Sequence, residues 1–182
     1  MTKEFDPRRL DVKAFAEAGA ELASEDGLGG HPRLMAETGG RGAELLLAWS
    51  ASGELRNPGH VLPEIWLHLE AHAVLPLTCQ RCLAPVEVVV KVERPFRFVQ
   101  DEAIAMAEDD QSEEDLLALS RSFDLVELVE DELLMDLPVA PRHEVCPAPV
   151  ALAAADEDFD AAPARRENPF ASLQRLKAPK AE

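Results

Sequence analysis

The stretch Ile65-Trp66-Leu67-His68-Leu69-Glu70-Ala71-His72-Ala73-Val74-Leu75 decides the predicted fold. Apolar side chains recur at every second position from Ile65 to Ala73. Trp66, His68, Glu70 and His72 fall on the opposite face. A period of two is typical of a half-buried β-strand. The sequence therefore predicts a sheet with one face buried against the rest of the protein.

A second strand is predicted directly downstream, because residues 86–99 are rich in valine and then carry Phe96 and Phe98. Pro95 interrupts this run and indicates a sheet edge or a bend. Upstream, the apolar residues 43–51 are followed by turn residues at Ser52-Gly53 and at Asn57-Pro58-Gly59. Short runs separated by turns favour an antiparallel sheet.

An amphipathic helix is predicted at about residues 124–137. Asp124 is a suitable N-cap, and Pro138 would end the helix. Its apolar stripe consists of Leu125, Val126, Val129, Leu133 and Leu137, and the residues predicted to point outward are Glu127, Glu130 and Asp131. Shorter helices are predicted near residues 14–22 and 31–38. The fold class is therefore α+β, with an antiparallel β-sheet core and a packed amphipathic helix.

The predicted organisation is one α+β domain over residues 1–150, followed by a flexible C-terminal tail over residues 151–182. Within the domain, residues 101–120 carry eight acidic residues and no lysine or arginine. Because like charges repel, we expect a mobile acidic surface loop there. The tail contains a predicted short basic helix, with five candidate residues for binding RNA or another partner: Arg165, Arg166, Phe170, Arg175 and Lys177.

The overall charge restricts the classes of partner. The 182 residues carry a formal net charge of -17. Such acidity argues against a surface that grips a nucleic-acid backbone throughout, and it suits basic proteins, such as ribosomal proteins, or simply high solubility. The sequence lacks a secretory signal and any apolar run of roughly 20 residues that could cross a bilayer. We therefore expect a cytoplasmic protein with no membrane partner.

The cysteines are the residues that indicate a metal-binding site. Cys79 and Cys82 form a C-x-x-C between two predicted strands, and His143 and Cys146 repeat the spacing after the helix. These four residues are a complete tetrahedral set for Zn²⁺ if they converge. The alternative is that His143 is a surface residue and Cys146 a half-buried thiol. A redox pair is disfavoured, because no helix follows Cys82 to lower a thiol pKa.

Catalytic motifs are absent from the sequence. It contains no G-x-S-x-G, no phosphate-binding glycine loop and no H-E-x-x-H. Abundant carboxylates alone do not define an acid–base pair. We therefore expect neither catalytic residues nor a small-molecule substrate.

Several segments together resemble the YceD family of large ribosomal RNA subunit accumulation proteins. They are, in order, Phe5 to Leu10, His31 to Leu34, Leu77 to Cys82, Asp124 to Pro141, His143, Cys146 and Asn168 to Lys177. The resemblance implies a cytoplasmic factor for accumulation or processing of 23S rRNA, and hence for large-subunit biogenesis. It implies no catalytic residues.

Two classes of function remain open from the sequence. The first is a non-enzymatic factor that binds rRNA or ribosomal protein, with an acidic chaperone for a basic ribosomal protein as a variant. The second is a metal- or thiol-dependent enzyme that uses Cys79 and Cys82. A tightly held structural zinc would favour the first class.

Overall fold

The computed structural model describes residues 4–61 and 63–148, which form one sheet with a helix near each end of this range packed against one of its faces. The elements in chain order are α1 Val12–Glu17, β1 Glu21–Gly27, α2 Pro32–Glu37, β2 Leu46–Arg56, β3 Glu64–Thr78, β4 Pro85–Val99, α3 Glu102–Glu108, β5 Asp115–Ala118 and α4 Leu125–Met135. The two strands predicted around residues 65–75 and 86–99 are therefore confirmed as β3 and β4. The predicted tail from residue 151 onward, with its basic helix, lies outside the described residues.

The sheet has the strand order β1-β2-β3-β4-β5. The first three pairings are antiparallel, whereas β5 pairs with β4 in parallel over Phe96 to Val99. The predicted antiparallel core is therefore confirmed, and the fifth strand makes the complete sheet mixed. β3 and β4 form a long hairpin that is closed where Thr78 pairs with Pro85. This turn holds Cys79 and Cys82.

The core lies between the helices and one face of the sheet. Leu67, Leu69 and Leu75 of β3 are fully buried there, as the period of two predicts. α1 contributes Phe15 to this core, and α4 contributes fully buried side chains at Leu125, Val129 and Leu133. The side chain of Asp124 accepts a hydrogen bond from the N–H of Glu127 at 3.0 Å and caps α4. The predicted amphipathic helix is thus confirmed.

The turn predicted at Ser52-Gly53 is wrong, because β2 continues through it to Arg56. Gly53 has a different role, because its lack of a side chain allows α1 to pack closely against β2. A Cβ at this position would lie 2.7 Å from the Phe15 ring and 2.9 Å from the backbone of Ala16. Glycine in a strand often marks such an approach. The turn comes at Asn57 instead, which has a φ of 53°.

The acidic span 101–120 is not the loop that its charge predicted. It contains α3, a 3-10 turn at Asp109–Gln111 and β5. Two arginines of β4 offset its charge: Arg97 lies 3.0 Å from Glu108, and Arg94 lies 3.2 Å from Asp115. Because these cations lie just outside the span, on the strand that precedes it and pairs with β5, the charge of residues 101–120 alone overstated the repulsion.

The position predicted for Glu130 is also wrong. Its side chain is buried and does not point into solvent. One carboxylate oxygen accepts hydrogen bonds from the backbone N–H groups of Arg33 at 2.7 Å and Leu34 at 3.1 Å. Glu130 thereby caps the first turn of α2, where His31 provides no side-chain cap. The Arg33 guanidinium completes the link, since it lies 3.2 Å from Glu130 and also pairs with Asp131.

Candidate metal centre

The first half of the centre is the turn between β3 and β4. Cys79 is completely buried at the end of β3, and Cys82 is half-buried three residues later. The turn is closed by two backbone hydrogen bonds, from Cys79 N–H to Ala84 O at 3.0 Å and from Leu83 N–H to Cys79 O at 2.9 Å. Leu83 adopts a φ of 61°, the left-handed conformation that lets the chain reverse. This tight turn points both thiols to the same side.

The second half is the segment that follows α4. The N–H of Gln80 donates to the carbonyl of Pro141 at 2.8 Å. The Arg81 guanidinium donates to the carbonyls of His143 at 3.0 Å and Glu144 at 3.2 Å, and it lies 3.4 Å from Cys146 Sγ. These bonds hold residues 141–146 against the turn. They place His143 and Cys146 beside the two cysteines.

The four predicted ligands converge. Their ligand atoms (Cys79, Cys82 and Cys146 Sγ and one ring nitrogen of His143) all lie within 4.8 Å of one another. Cys82 Sγ is 3.4 Å from His143 Nδ1. Ions bound tetrahedrally at roughly 2.3 Å from sulfur and 2.0 Å from nitrogen hold their ligands about 3.5–3.8 Å apart. The arrangement is therefore compact enough for a single Zn²⁺.

The second ring nitrogen of His143 is also positioned. His143 Nε2 lies 3.0 Å from the carbonyl oxygen of Pro85. A carbonyl only accepts, so Nε2 carries the proton and donates it. Nδ1 is then left with a free lone pair on the side of the cysteines. Metal-bound histidines in proteins are usually oriented by such a second hydrogen bond.

The surroundings shift the pKa values of two thiols in opposite directions. Burial raises the pKa of Cys79, but hydrogen bonds from the backbone N–H groups of Cys82, Arg81 and His143 outweigh this effect and hold the pKa well below its usual value. The Ala84 N–H lowers the pKa of Cys82. Desolvation and the neighbouring Cys79 and Cys146 outweigh this effect and raise that pKa above its usual value. The turn thus stabilises one thiolate strongly, and a cation would be needed to stabilise several together.

Sequence spacing could not identify the groups that hold the two halves together. Arg81 has the clearest role, because its guanidinium reaches carbonyls 62 and 63 residues away. The sequence did give one indication of this role, because Arg81 lies between the two cysteines. A cation at that position lies close to any thiolate that forms there. The carbonyl groups of Pro85 and Pro141 belong to the backbone, so no side chain in the sequence indicates their role.

The five residues predicted to bind RNA or another partner, Arg165, Arg166, Phe170, Arg175 and Lys177, lie outside the described residues. Among the helices of residues 4–61 and 63–148, none is long and apolar enough to span a membrane. His68, on the open face of β3, lies 2.8 Å from Glu54 through its Nε2 atom and stands apart from the four-residue cluster.

Comparison with known proteins gives one family match. The model of the family described as large ribosomal RNA subunit accumulation protein YceD matches residues 67–177, which is more than half of the chain. Neither the curated proteins nor the solved structures gave a match. The matched range includes most of β3, all of β4 and α4, and all four candidate metal ligands. The chain therefore belongs to the YceD family of large ribosomal RNA subunit accumulation proteins.

Proposed function

We propose that this protein supports the accumulation and processing of 23S rRNA in the cytoplasm as a non-enzymatic factor in large-subunit biogenesis. The family match over residues 67–177 carries the proposal. The factor acts by binding rRNA, ribosomal proteins or both. A net charge of -17 suits basic proteins, and the basic residues between Arg165 and Lys177 are the candidate contacts to RNA or to a protein partner.

A depletion experiment tests this function. Cells that lack the protein should contain less 23S rRNA relative to 16S rRNA and accumulate precursors of the large subunit. The full chain expressed from a plasmid should restore the ratio. An unchanged ratio of 23S to 16S rRNA after complete depletion would contradict the proposal.

The second part of the proposal is that Cys79, Cys82, His143 and Cys146 bind one structural Zn²⁺. Three thiolates and one imidazole are a common closed set of ligands for this ion and leave no coordination position open for water. Zinc would join the β3–β4 turn to the segment after α4. Without the ion, a few hydrogen bonds hold these two parts of the chain together. Its contribution in this chain is therefore to folding, not to chemistry.

Replacement of a ligand tests the zinc site. Cys146→Ser should lose bound zinc and lower the free energy of unfolding, whereas His72→Gln, a change on the open face of β3, should keep both. Cys146 is half-buried, so the substitution leaves little strain of its own. Equal zinc content in the two variants would contradict the assignment. A Cys146→Ser variant that binds no zinc but has unchanged stability would contradict the structural role.

A further inference from the structure

The strand β1 forms an open edge of the sheet. Within the part of the chain that the structure describes, β1 pairs with β2 alone. Hydrogen bonds from Gly53 N–H to Ala20 O at 2.9 Å and from Leu28 N–H to Leu45 O at 2.8 Å fix the register at both ends of the pairing. Because antiparallel strands alternate, the N–H and C=O groups of Glu21, Ala23 and Glu25 point away from β2.

The charges on this edge discriminate between partners. β1 carries Glu21, Glu25 and Asp26 and no basic residue. In the described residues, Glu21 and Glu25 are exposed and make no ion pair or hydrogen bond, whereas Asp26 accepts from Ser24 and Trp49. Like charges disfavour pairing with a second copy of the chain or approach of a nucleic-acid backbone. A basic protein segment would instead be attracted.

Cavities lie on both sides of the same edge. The cavity on the helix side has a volume of about 720 Å³ and includes Leu22, Trp49 and Val126 among its lining residues. His31 also lines it and is 2% exposed, with an Nδ1 atom that has no hydrogen-bond partner. Arg8 stands at this cavity too, but its guanidinium lies 3.9 Å from Asp124. This side therefore offers apolar contact at Leu22, Trp49 and Val126 next to polar groups of Ser24, Asp26 and His31.

The cavity on the open face of the sheet is smaller and more acidic. Its volume is about 500 Å³, and it is lined by Glu25, Glu70, His72 and Lys91 among others. Consecutive side chains of a strand point to opposite faces of a sheet. A strand added beside β1 would consequently direct its side chains alternately to the open face next to Glu21 and Glu25 and to the helix side next to Leu22.

We propose that the β1 edge binds an extended, lysine- and arginine-rich segment of a partner protein by strand addition. The backbone of that segment pairs with Glu21, Ala23 and Glu25. Its basic side chains on the open face lie beside Glu21 and Glu25, and its small or apolar side chains on the helix side face Leu22 and Trp49. This inference rests on the proposed function in large-subunit biogenesis, because it assigns the protein partner of that process to one surface.

Two substitutions at one position test strand addition. Ala23→Pro removes an N–H that faces the open edge and leaves the hydrogen bonds to β2 intact, whereas Ala23→Thr keeps that N–H. The probe is the mixture of large-subunit ribosomal proteins freed of RNA, added to the full chain carrying a photo-crosslinking residue at Glu21. We expect Ala23→Pro to reduce crosslinking at least about tenfold and Ala23→Thr to change it little. The crosslinked site should lie in a basic segment.

Equal crosslinking by Ala23→Pro and Ala23→Thr would overturn the inference, as would crosslinks confined to acidic or helical segments of the partners. If Ala23→Pro fails to fold, Glu25→Lys takes its place, with the single charge reversal Glu102→Lys as the matched control. Retained crosslinking in Glu25→Lys would also overturn the inference. Failure of the proposed function is distinguishable, because it appears as a normal 23S to 16S ratio in depleted cells whatever the edge binds.

Discussion

Glu130 shows how one side chain can join two parts of the chain far apart in sequence. Its carboxylate caps α2 through the N–H groups of Arg33 and Leu34 and also pairs with the Arg33 guanidinium. Helical spacing placed it outward, because a charged residue next to Asp131 normally faces solvent. The pairing that allows its burial lies almost 100 residues upstream and is invisible to local pattern analysis.

We predict that Glu130→Ala destabilises the protein by about 2–4 kcal/mol, because it leaves two helix N–H groups without their acceptor and removes one of the two carboxylates that pair with Arg33. Asp131→Asn is the matched control, since Asp131 binds the same arginine at an exposed position. It should cost less than about 1 kcal/mol. Urea unfolding measures the free energy of unfolding of both variants, provided that their m-values are unchanged. Similar midpoints for the two variants would show that the Glu130 cap does not stabilise the protein.

His31 gives a prediction about pH. Burial lowers its pKa below the ordinary value of 6.5, opposed by Glu130 and Asp26 and reinforced by Arg8. The unfolded chain therefore binds this proton first as the pH falls. The stability that neutral His31 provides is complete above pH 6.5 and is lost as the pH falls from there through the lower pKa of the folded state.

We expect His31→Asn, which cannot titrate and has a side chain suited to an N-cap position, to lose less unfolding free energy between about pH 7.5 and 5.5 than the parent protein. Chemical denaturation at several pH values in that interval measures the two slopes. Parallel slopes would mean that His31 has the same pKa in the folded and unfolded states.

At the scale of elements, the sequence predicted those that have a strong period. β3, β4 and α4 carry regular apolar patterns and were predicted correctly. β1 was not predicted, because its residues ELASEDG are weak strand formers and the strand forms by pairing with β2. α3 and β5 were hidden by their acidic residues, whose charge is offset by Arg94 and Arg97.

The contact between α1 and β2 gives a prediction at this scale. Gly53→Ala would place a methyl group 2.7 Å from Phe15 and 2.9 Å from the backbone of Ala16, so that helix and strand must separate. We expect a loss of about 1–3 kcal/mol in unfolding free energy. Gly59→Ala is the matched control, since nothing lies within 4 Å of its Cβ position, and it should change stability by less than about 0.5 kcal/mol. Thermal unfolding of both variants decides whether this packing is as tight as described.

At the scale of the whole molecule, the spacing of the cysteines and the histidine predicted which residues could bind a metal ion. It did not show that these residues converge at one site. Cys82 and His143 are 61 residues apart, and they come together because the β3–β4 hairpin and α4 pack on one core. The details that align them, such as the Arg81 bonds to main-chain carbonyls, depend on backbone groups that every residue has. A sequence pattern cannot single these groups out.

The most direct test of this account is the metal content of the full chain purified without chelator, measured by native mass spectrometry. We expect one zinc per chain, and replacement by Co²⁺ should give the absorption of a tetrahedral site with thiolate ligands. Removal of the ion by a strong chelator should lower the unfolding temperature, and added Zn²⁺ should restore it. If the chain folds to full stability with no zinc, or if its Co²⁺ spectrum lacks thiolate bands, Cys79, Cys82, His143 and Cys146 do not form a structural zinc site.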